Sequence, residues 1–524
     1  MTGRGVVMAA EGMVASSHPL ASQAGVGMLA AGGNFMDAAI ATAAVLTVVE
    51  PYNSHLGGDV FMIVYSAKDG RVEAINGSGA APRAARPELF AQGGIPLRGL
   101  AAASVPGAVH GWDAALKRYG TMPLAKVLEP AIHYAENGFP VNHRLHQTVA
   151  GAMPLLRRYP TSSQAVLTDG QPVPPGRIWR QPGLAKALRI LAERGAEDFY
   201  QGEIAAAMAA FCAEHDGLIT EDDLAGHETR ILEPLETTYR GITVYEQPPV
   251  SQGHILLQEL NLVEGFDLAG MGPQSADSIH VMVEAKKLAF ADKDRYTGDP
   301  RRTDIPLAGM LSKEYAAERR QLISLSTAAT PSAGDPRDHM RDTTYFCVAD
   351  GEGNGVSFIQ SLFHGFGCGV VVSDLGFFLN NRMTGFSLDP EHVNCLEPGK
   401  KTVHTLNAYM LFRNGRPWVI GGTPGGDVQV QTNLQIITDL VDYQMNVQEA
   451  VEAPRWASGT GLDLAMEGRI GSPVADELRR RGHGVRIMGD WEQGGRVQLI
   501  MVCPESGAYM AGSDPRCDGC AIGI

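Results

Sequence analysis

The sequence contains no apolar run long enough to cross a bilayer, which takes about 18 to 20 residues. Its most apolar window, AAIATAAVLTVV at 38–49, is shorter and predicts a buried helix. The first residues lack an apolar segment followed by a small-residue cleavage site, so we expect no secretory signal, no membrane association and a cytoplasmic protein.

Basic residues are also in deficit, because 43 Lys and Arg face 58 Asp and Glu and the net charge is −15. This balance disfavours nucleic acid or an anionic membrane as a partner. A small anionic substrate stays open, since a local cationic site can lie inside an acidic protein.

Cysteine is rare, with seven residues scattered over a chain of 524. An odd and dispersed set favours reduced thiols over a disulfide framework. Cys517 and Cys520 form a single CxxC, and without a second such pair we interpret them as two ordinary thiols rather than a metal or redox site.

Several motifs of known chemistry are absent. No GxxxxGK[ST] occurs, which excludes a P-loop, and Ser78 lies in NGSGA rather than in a GxSxG elbow. The glycines of HGFGCG at 364–369 lie between predicted strands and not before a helix, which disfavours dinucleotide binding. No metal-ligand spacing stands out, so we expect neither cofactor nor metal.

The sequence divides into a helix-rich part followed by a β-rich part. Helical periodicity dominates residues 105–300, with Gly or Pro between the segments. Residues 324–342, SLSTAATPSAGDPRDHMRD, are small, polar and rich in turn formers, which predicts a mobile surface segment. Strand-like runs follow, beginning with TTYFCVAD and GVSFIQSLF. This order predicts a layered α+β fold.

Two adjacent threonines, Thr343 and Thr344, begin the first of these strands directly after the polar segment. A Thr hydroxyl is a weak nucleophile unless a base takes its proton. The α-amino group of an N-terminal Thr can be that base, because its ordinary pKa of about 7.7 to 8.0 leaves much of it neutral near pH 7. Cleavage before Thr343 would create this group, and Gly425 and Gly426 in GGTPGGD are candidates for binding the oxyanion. The alternative is that both threonines are ordinary strand residues.

Nine stretches, in order and over nearly the whole length, resemble the γ-glutamyltransferase family of N-terminal-nucleophile (Ntn) hydrolases. They are HPLASQAGVGMLAAGGNFMDAAIA, GGDVFMIVY, SVPGAVHGWDAALKRYGTMPLAKVLEPAIHYAENGFPV, GLITEDDLAGHE, EQPPVSQGHILLQELNLVEGFDL, VMVEAKKLAFADKDRYTGDP, TTYFCVADGEGNGVSFIQS, GTPGGD and EAVEAPRW.

The resemblance implies a four-layer αββα sandwich made as one precursor. It implies self-cleavage between Asp342 and Thr343 into a large chain, 1–342, and a small chain, 343–524, which form one intertwined heterodimer; further dimerisation is left open. Thr343 would carry the acyl group as an ester, and Gly425 and Gly426 would form the oxyanion hole. Ser361 and Thr344 occupy the positions of hydroxyls that support the nucleophile.

The sequence departs from the family where the γ-glutamyl group is bound. Ser78 stands where the family has an Arg for the substrate carboxylate, and Phe363, Arg382 and Gly385 replace the Asn, Gln and Asp that hold the substrate amine. The guanidinium of Arg382 would repel an ammonium and could bind a carboxylate. The alternative for Arg382 is a solvent-facing salt-bridge residue.

Other positions in the predicted pocket also differ. His404 and Thr405 replace two serines, and Asn381 precedes Arg382 in NNRMTGF. We expect these residues to bind substrate, although His364 and His404 are equally compatible with core histidines. The predicted function is an amidohydrolase acting on a small anionic amide such as oxamate. The alternatives are a conventional glutathione hydrolase or γ-glutamyltransferase, and an unprocessed, inactive homologue that acts as a binding protein.

Overall fold

A computed structural model describes residues 3–329 and 342–524. Most of the predicted mobile segment, residues 330–341 of 324–342, lies outside the described residues. The strands are β1 (Val7–Ala9), β2 (Gly12–Ser16), β3 (Asp59–Ser66), β4 (Arg71–Gly77), β5 (Phe139–Pro140), β6 (Ile178–Trp179), β7 (Arg230–Leu232), β8 (Leu235–Tyr239), β9 (Ile242–Glu246), β10 (Asp342–Asp350), β11 (Gly355–Phe363), β12 (Tyr409–Arg413), β13 (Arg416–Gly422), β14 (Trp456–Ser458), β15 (Asp463–Glu467), β16 (Gly484–Met488), β17 (Gln498–Val502), β18 (Tyr509–Ser513) and β19 (Cys520–Gly523).

Most of the helices precede the threonine doublet, in the part of the chain that the sequence predicts to be rich in helix. The helices are α1 (Pro19–Ala30), α2 (Phe35–Val49), α3 (Ala108–Tyr119), α4 (Leu124–Asn137), α5 (His143–Gly151), α6 (Met153–Arg158), α7 (Pro160–Val166), α8 (Pro182–Arg194), α9 (Asp198–Gln201), α10 (Glu203–Glu214), α11 (Glu221–Ala225), α12 (Gly253–Val263), α13 (Leu268–Met271), α14 (Ala276–Tyr296), α15 (Leu307–Met310), α16 (Lys313–Arg320), α17 (Val428–Val441), α18 (Val447–Glu452) and α19 (Ser472–Arg480).

Two seven-stranded antiparallel sheets form the centre of the molecule. One has the strand order β19-β2-β10-β11-β3-β4-β7 and the other β1-β18-β17-β13-β12-β9-β8. Each sheet therefore combines strands from before and after the threonine doublet. A smaller three-stranded sheet, β14-β15-β16, lies beside them.

Strand alternation divides the core into layers. In β10, Phe346 and Val348 belong to the cluster that includes α2, whereas Tyr345 and Cys347 belong to the cluster between the two sheets. This is the period-2 pattern of a strand buried on both faces. A third cluster packs the outer face of the second sheet against α12, α14 and α17. The layers are thus helices, sheet, sheet and helices, and the predicted four-layer αββα sandwich is confirmed.

Local predictions hold where the sequence pattern is strong. The apolar window at 38–49 lies in α2, all of which is buried and which begins with a capping box between Asn34 and Asp37. The predicted hairpin around residues 68–70 is β3–β4.

In the described part of the chain, every helix is too short or too polar to cross a membrane. The seven cysteines form no disulfide with one another.

Candidate active site

Thr343 lies at an irregularity near the start of β10, in the middle of the molecule. The pairing with β11 runs Asp342 to Phe363 and then Thr344 to Gln360, so the register shifts across Thr343. Bulges of this kind re-aim a side chain. The Thr343 hydroxyl donates to Ser361 Oγ at 3.1 Å, and Ser361 Oγ also accepts the Phe363 N–H at 2.7 Å. Thr343 is buried, so its hydroxyl has a fixed partner away from bulk water.

Thr344 points to the opposite, helical face of the sheet. Its hydroxyl donates to Glu50 Oε2 at 3.1 Å and lies 2.8 Å from Ser17 Oγ. The same Glu50 oxygen accepts from Ser17 Oγ at 2.7 Å and from Asn53 Nδ2 at 3.1 Å. Glu50 ends α2, so this buried network ties the strand start to the helix layer. Thr344 therefore fixes the backbone beside Thr343.

The Gly425–Gly426 turn connects β13 to α17. Both glycines have positive φ, +136° and +63°, where side chains with a Cβ are disfavoured. A Cβ on Gly422, at the end of β13, would contact the ring of Tyr345, so β13 ends against the start of β10 on the face that Thr343 shares. The positive end of the helix dipole of α17 begins two residues after Gly426. These features make the turn suitable for stabilising negative charge.

Gln252 links this turn to a second loop. Its amide nitrogen donates to Gly426 O at 3.1 Å and to Thr405 O at 3.0 Å. Because two carbonyls accept from the same nitrogen, the orientation of the amide is fixed. Thr405 itself is buried, and its hydroxyl has no hydrogen-bond partner among the described residues.

Arg382 is buried and paired with an acid that the sequence did not reveal. Its Nε donates to Asp59 Oδ2 at 3.3 Å, both side chains are 0% exposed, and its guanidinium lies 4.2 Å from the centre of the Phe363 ring. Asp59 Oδ1 accepts the Gly79 N–H at 2.9 Å. Burial raises the pKa of Asp59 and the Arg382 charge opposes that rise. The solvent-facing alternative for Arg382 is wrong, because the salt bridge exists but is inside the protein.

The other residues that the sequence predicts for the acyl pocket make contacts within the protein. Asn381 Oδ1 accepts the His364 N–H at 3.1 Å, and its Nδ2 lies 2.9 Å from His364 Nδ1. His404 is buried with its ring 5.1 Å from that of Phe61. Ser78 donates to Asn76 Oδ1 at 2.6 Å. Contact of Asn381, His404 or Thr405 with substrate stays a prediction.

One group of potential metal ligands lies elsewhere, between α14 and the loop after α19. His280 Nδ1 and His483 Nε2 are 2.8 Å apart, and Glu284 lies within 4.8 Å of both. Lys287 already ion-pairs with Glu284 at 2.7 Å, and His280 Nε2 lies 2.6 Å from Ser324 O. Glu284 and His280 are thus already engaged by protein groups.

Sequence reasoning did not single out Glu50, Asp59 or Gln252. It did single out Thr343, Ser361 and the double glycine, whose catalytic roles stay predictions. The missed residues stand in VVEP, GGDVF and SQGH, all within or beside the stretches that carry the resemblance. A buried acid in an otherwise apolar strand, such as Asp59 in DVFMIVYS, is the one signal that could have indicated a partner of opposite charge.

Comparison with known proteins places this geometry in a family. The family model described as Gamma-glutamyltranspeptidase matches residues 21–524. The chain is 40% identical over 526 residues to the glutathione hydrolase-like YwrD proenzyme of Bacillus subtilis, covering 99% of both chains. It is 36% identical over 525 residues to the oxamate amidohydrolase proenzyme of Klebsiella pneumoniae, covering 98% of both. The cephalosporin acylase of Bacillus halodurans superposes with a TM-score of 0.95 at 40% identity, covering 100% of this chain and 98% of that one. The chain therefore belongs to the gamma-glutamyltranspeptidase family of Ntn amide hydrolases.

Proposed function

We propose that this protein cleaves itself before Thr343 and then hydrolyses an anionic amide through an acyl ester on Thr343. The observation that carries the proposal is the Thr343 hydroxyl, aimed at Ser361 from the irregular start of β10. Family membership and the words "proenzyme" in the names of both curated relatives support it.

Maturation is an acyl shift followed by hydrolysis. Thr343 Oγ attacks the carbonyl carbon of residue 342, the peptide C–N bond breaks, and the proton of the hydroxyl ends on the released nitrogen. Water then cleaves the ester, which leaves a carboxylate on residue 342 and a free α-amino group on Thr343. The products, 1–342 and 343–524, stay together as a heterodimer, because β2 and β3 flank β10 and β11 in one sheet.

Turnover uses the new α-amino group as the base. It accepts the Thr343 hydroxyl proton as Oγ attacks the substrate carbonyl, and it returns a proton to the departing amine. Backbone N–H groups of the Gly425–Gly426 turn stabilise the oxyanion, helped by the start of α17. Water releases the acyl group by the same route in reverse, so the products are an acid and an amine.

The acyl pocket favours a substrate with a carboxylate and no amine. Arg382 brings a cation into the pocket, and both oxygens of Asp59 already accept hydrogen bonds from Arg382 and Gly79. Asp59 is therefore a poor partner for a substrate ammonium. Oxamate is the simplest amide of the favoured type, and one relative is named for its hydrolysis. The name of another relative favours the second candidate, hydrolysis of glutathione.

Mass spectrometry of the purified protein tests the maturation step. We expect two chains that divide at Thr343, and one intact chain of 55.9 kDa for Thr343→Ala. An intact wild-type chain would support the alternative of an unprocessed binding protein.

Turnover of three amides tests the substrate class: oxamate, glutaryl-p-nitroanilide and γ-glutamyl-p-nitroanilide. The proposal requires a higher kcat/KM for an amide without the amine. Efficient turnover of the γ-glutamyl compound alone would instead establish the glutathione hydrolase activity.

A further inference from the structure

Lys401 is a buried cation without a hydrogen-bond partner. Lys401 is 6% exposed, and its Nζ has no acceptor within hydrogen-bonding distance among the described residues. The backbone is held in place, since the Lys401 N–H donates to Asp299 Oδ2 at 2.9 Å. A buried, unpaired ammonium is strongly destabilising. The fold therefore keeps a costly charge at a fixed position three residues before His404.

The carboxylates near Lys401 are already engaged. Asp59 binds Arg382, and Asp299 binds Arg301 with contacts from both of its oxygens. Both acids attract the Lys401 ammonium at longer range, and Arg301 repels it. Arg301 and Arg382 each pair with one of these carboxylates, whereas Lys401 Nζ has no hydrogen-bond partner among the described residues.

Backbone contacts connect the Lys401 segment to the acid that pairs with Ser361 in the sheet. Lys400 O accepts the Ala81 N–H at 2.8 Å, the Gly79 N–H donates to Asp59 Oδ1 at 2.9 Å, and Asp59 pairs with Ser361 across β3 and β11. The Arg382 guanidinium packs on the Phe363 ring at 4.2 Å, and the Phe363 N–H donates to the Ser361 oxygen that accepts from Thr343. Asp59 and Arg382 therefore connect the surroundings of Lys401 with those of the Thr343 hydroxyl.

We propose that Lys401 is the anion-binding residue of the acyl pocket and pairs with a carboxylate distal to the scissile amide. The substrate class is a monoamide of a dicarboxylic acid, whose free carboxylate supplies the partner that Lys401 Nζ lacks. This inference rests on the proposed function, because it assumes that the acyl carbon is attacked by Thr343.

The pH dependence of KM follows from the same charge. Burial, aided by Arg301, lowers the pKa of Lys401 to about 8. The ammonium is present below that pH and lost above it, so KM for an anionic donor rises as the pH passes about 8. The charged groups that face it are Asp59, Asp299, Arg301 and Arg230. The hydrogen bonds between Asp299 and Arg301 lower the pKa of the acid and raise that of the guanidinium, and burial keeps His227 neutral by lowering its pKa well below the usual value. The Thr343 amine titrates nearby but affects charged and neutral donors alike.

The test compares two donors of equal length in the cleaved protein. Glutaryl-p-nitroanilide carries the carboxylate, and 4-carbamoylbutanoyl-p-nitroanilide replaces it with a neutral amide. For Lys401→Met we expect kcat/KM for the glutaryl donor to fall about 30-fold or more, mainly through KM, with little change for the neutral donor. Lys401→Arg should keep the preference for the glutaryl donor. This preference should no longer decline near pH 8, because an Arg stays charged.

Lys400→Met is the matched control, since the neighbouring Lys400 is also buried but pairs with Glu397 at 2.6 Å. It should leave the ratio of the two donors unchanged. We also expect Lys401→Met to melt at the same or a higher temperature than wild type, because it removes an unpaired buried charge. If Lys401 had only a structural role, Lys401→Met would lower the melting temperature and reduce kcat/KM for both donors equally. That result would overturn the proposal.

Calorimetric titration with glutarate and glutaramate separates this inference from the proposed function. If the wild-type protein binds glutarate but shows no turnover, and Lys401→Met loses that binding, the subsite is supported and the hydrolase mechanism is rejected. Turnover with no preference for the charged donor and no Lys401-dependent binding would reject the subsite and retain the mechanism.

Discussion

The buried pair of Asp59 and Arg382 leads to a quantitative prediction about stability. Their charged atoms are 3.3 Å apart with both side chains fully buried. Coulomb's law with an effective dielectric constant of about 20 gives an attraction of about 5 kcal/mol. Desolvation offsets most of this, so the pair adds little net stability, whereas removing one partner strands the other and costs about 3 to 5 kcal/mol.

The expected change in melting temperature follows from the size of the chain. An unfolding entropy of about 2.1 cal/mol/K per residue gives about 1.1 kcal/mol/K for 524 residues. Arg382→Met and Asp59→Asn should each lower the melting temperature by about 3 to 5 °C. The double variant should recover most of that loss, because it removes both members of the pair and strands neither.

Scanning calorimetry at one scan rate measures these values, with every protein carrying Thr343→Ala to keep a single covalent form. Burial already raises the pKa of Asp59, and losing Arg382 raises it further. A raised folded-state pKa means that stability is lost as the pH rises, so the deficit of Arg382→Met should shrink as the pH falls and Asp59 takes up a proton. Losses in the double variant equal to the sum of the single losses would refute the coupling.

Three further variants test two residues of the candidate active site and one buried acid of α12. Ser361→Ala removes the acceptor of the Thr343 hydroxyl and should lower kcat about tenfold with KM nearly constant; an unchanged kcat in steady-state assays would contradict its role. Gly426→Ala strains a turn at φ +63° and should reduce kcat, whereas Gly461→Ala, at φ +59° in open space, should affect only the melting temperature. Glu259→Gln should raise the melting temperature, and the gain should grow from pH 5 to 8 and then level off, because burial raises the pKa of Glu259 to about 8. A gain that is independent of pH would exclude the titration of Glu259 as its cause.

The parts of the fold that the sequence predicts are those set by neighbours in the chain. Helix α2 follows from its apolar run and cap, and the β3–β4 hairpin from its alternation and turn. Thr343 is predicted as the nucleophile because a polar segment leads into a strand, which is also a local pattern, and its role stays a prediction. Each of these features depends on residues a few positions apart.

The parts that escaped prediction are contacts between distant segments. Asp59 and Arg382 are 323 positions apart, Glu50 and Thr344 are 294 apart, and Gln252 and Gly426 are 174 apart. Nothing in the local pattern around Glu50 or Gln252 distinguishes them from surface residues. Their roles appear only when the two sheets and the helix layers bring the segments together.

The Asp59 partner changes what Arg382 contributes to the pocket. A carboxylate at 3.3 Å neutralises most of the guanidinium charge, while the same bond and the Phe363 ring fix its orientation. Arg382 therefore has a fixed orientation and a largely neutralised charge, whereas Lys401 Nζ has no hydrogen-bond partner among the described residues. Under the proposed function, changing Arg382 should disturb the alignment of the acyl group and lower kcat, whereas changing Lys401 should weaken attraction and raise KM. If Lys401 binds the substrate as proposed, the two variants should therefore give separable kinetic effects, because Arg382 is already paired with Asp59 inside the protein.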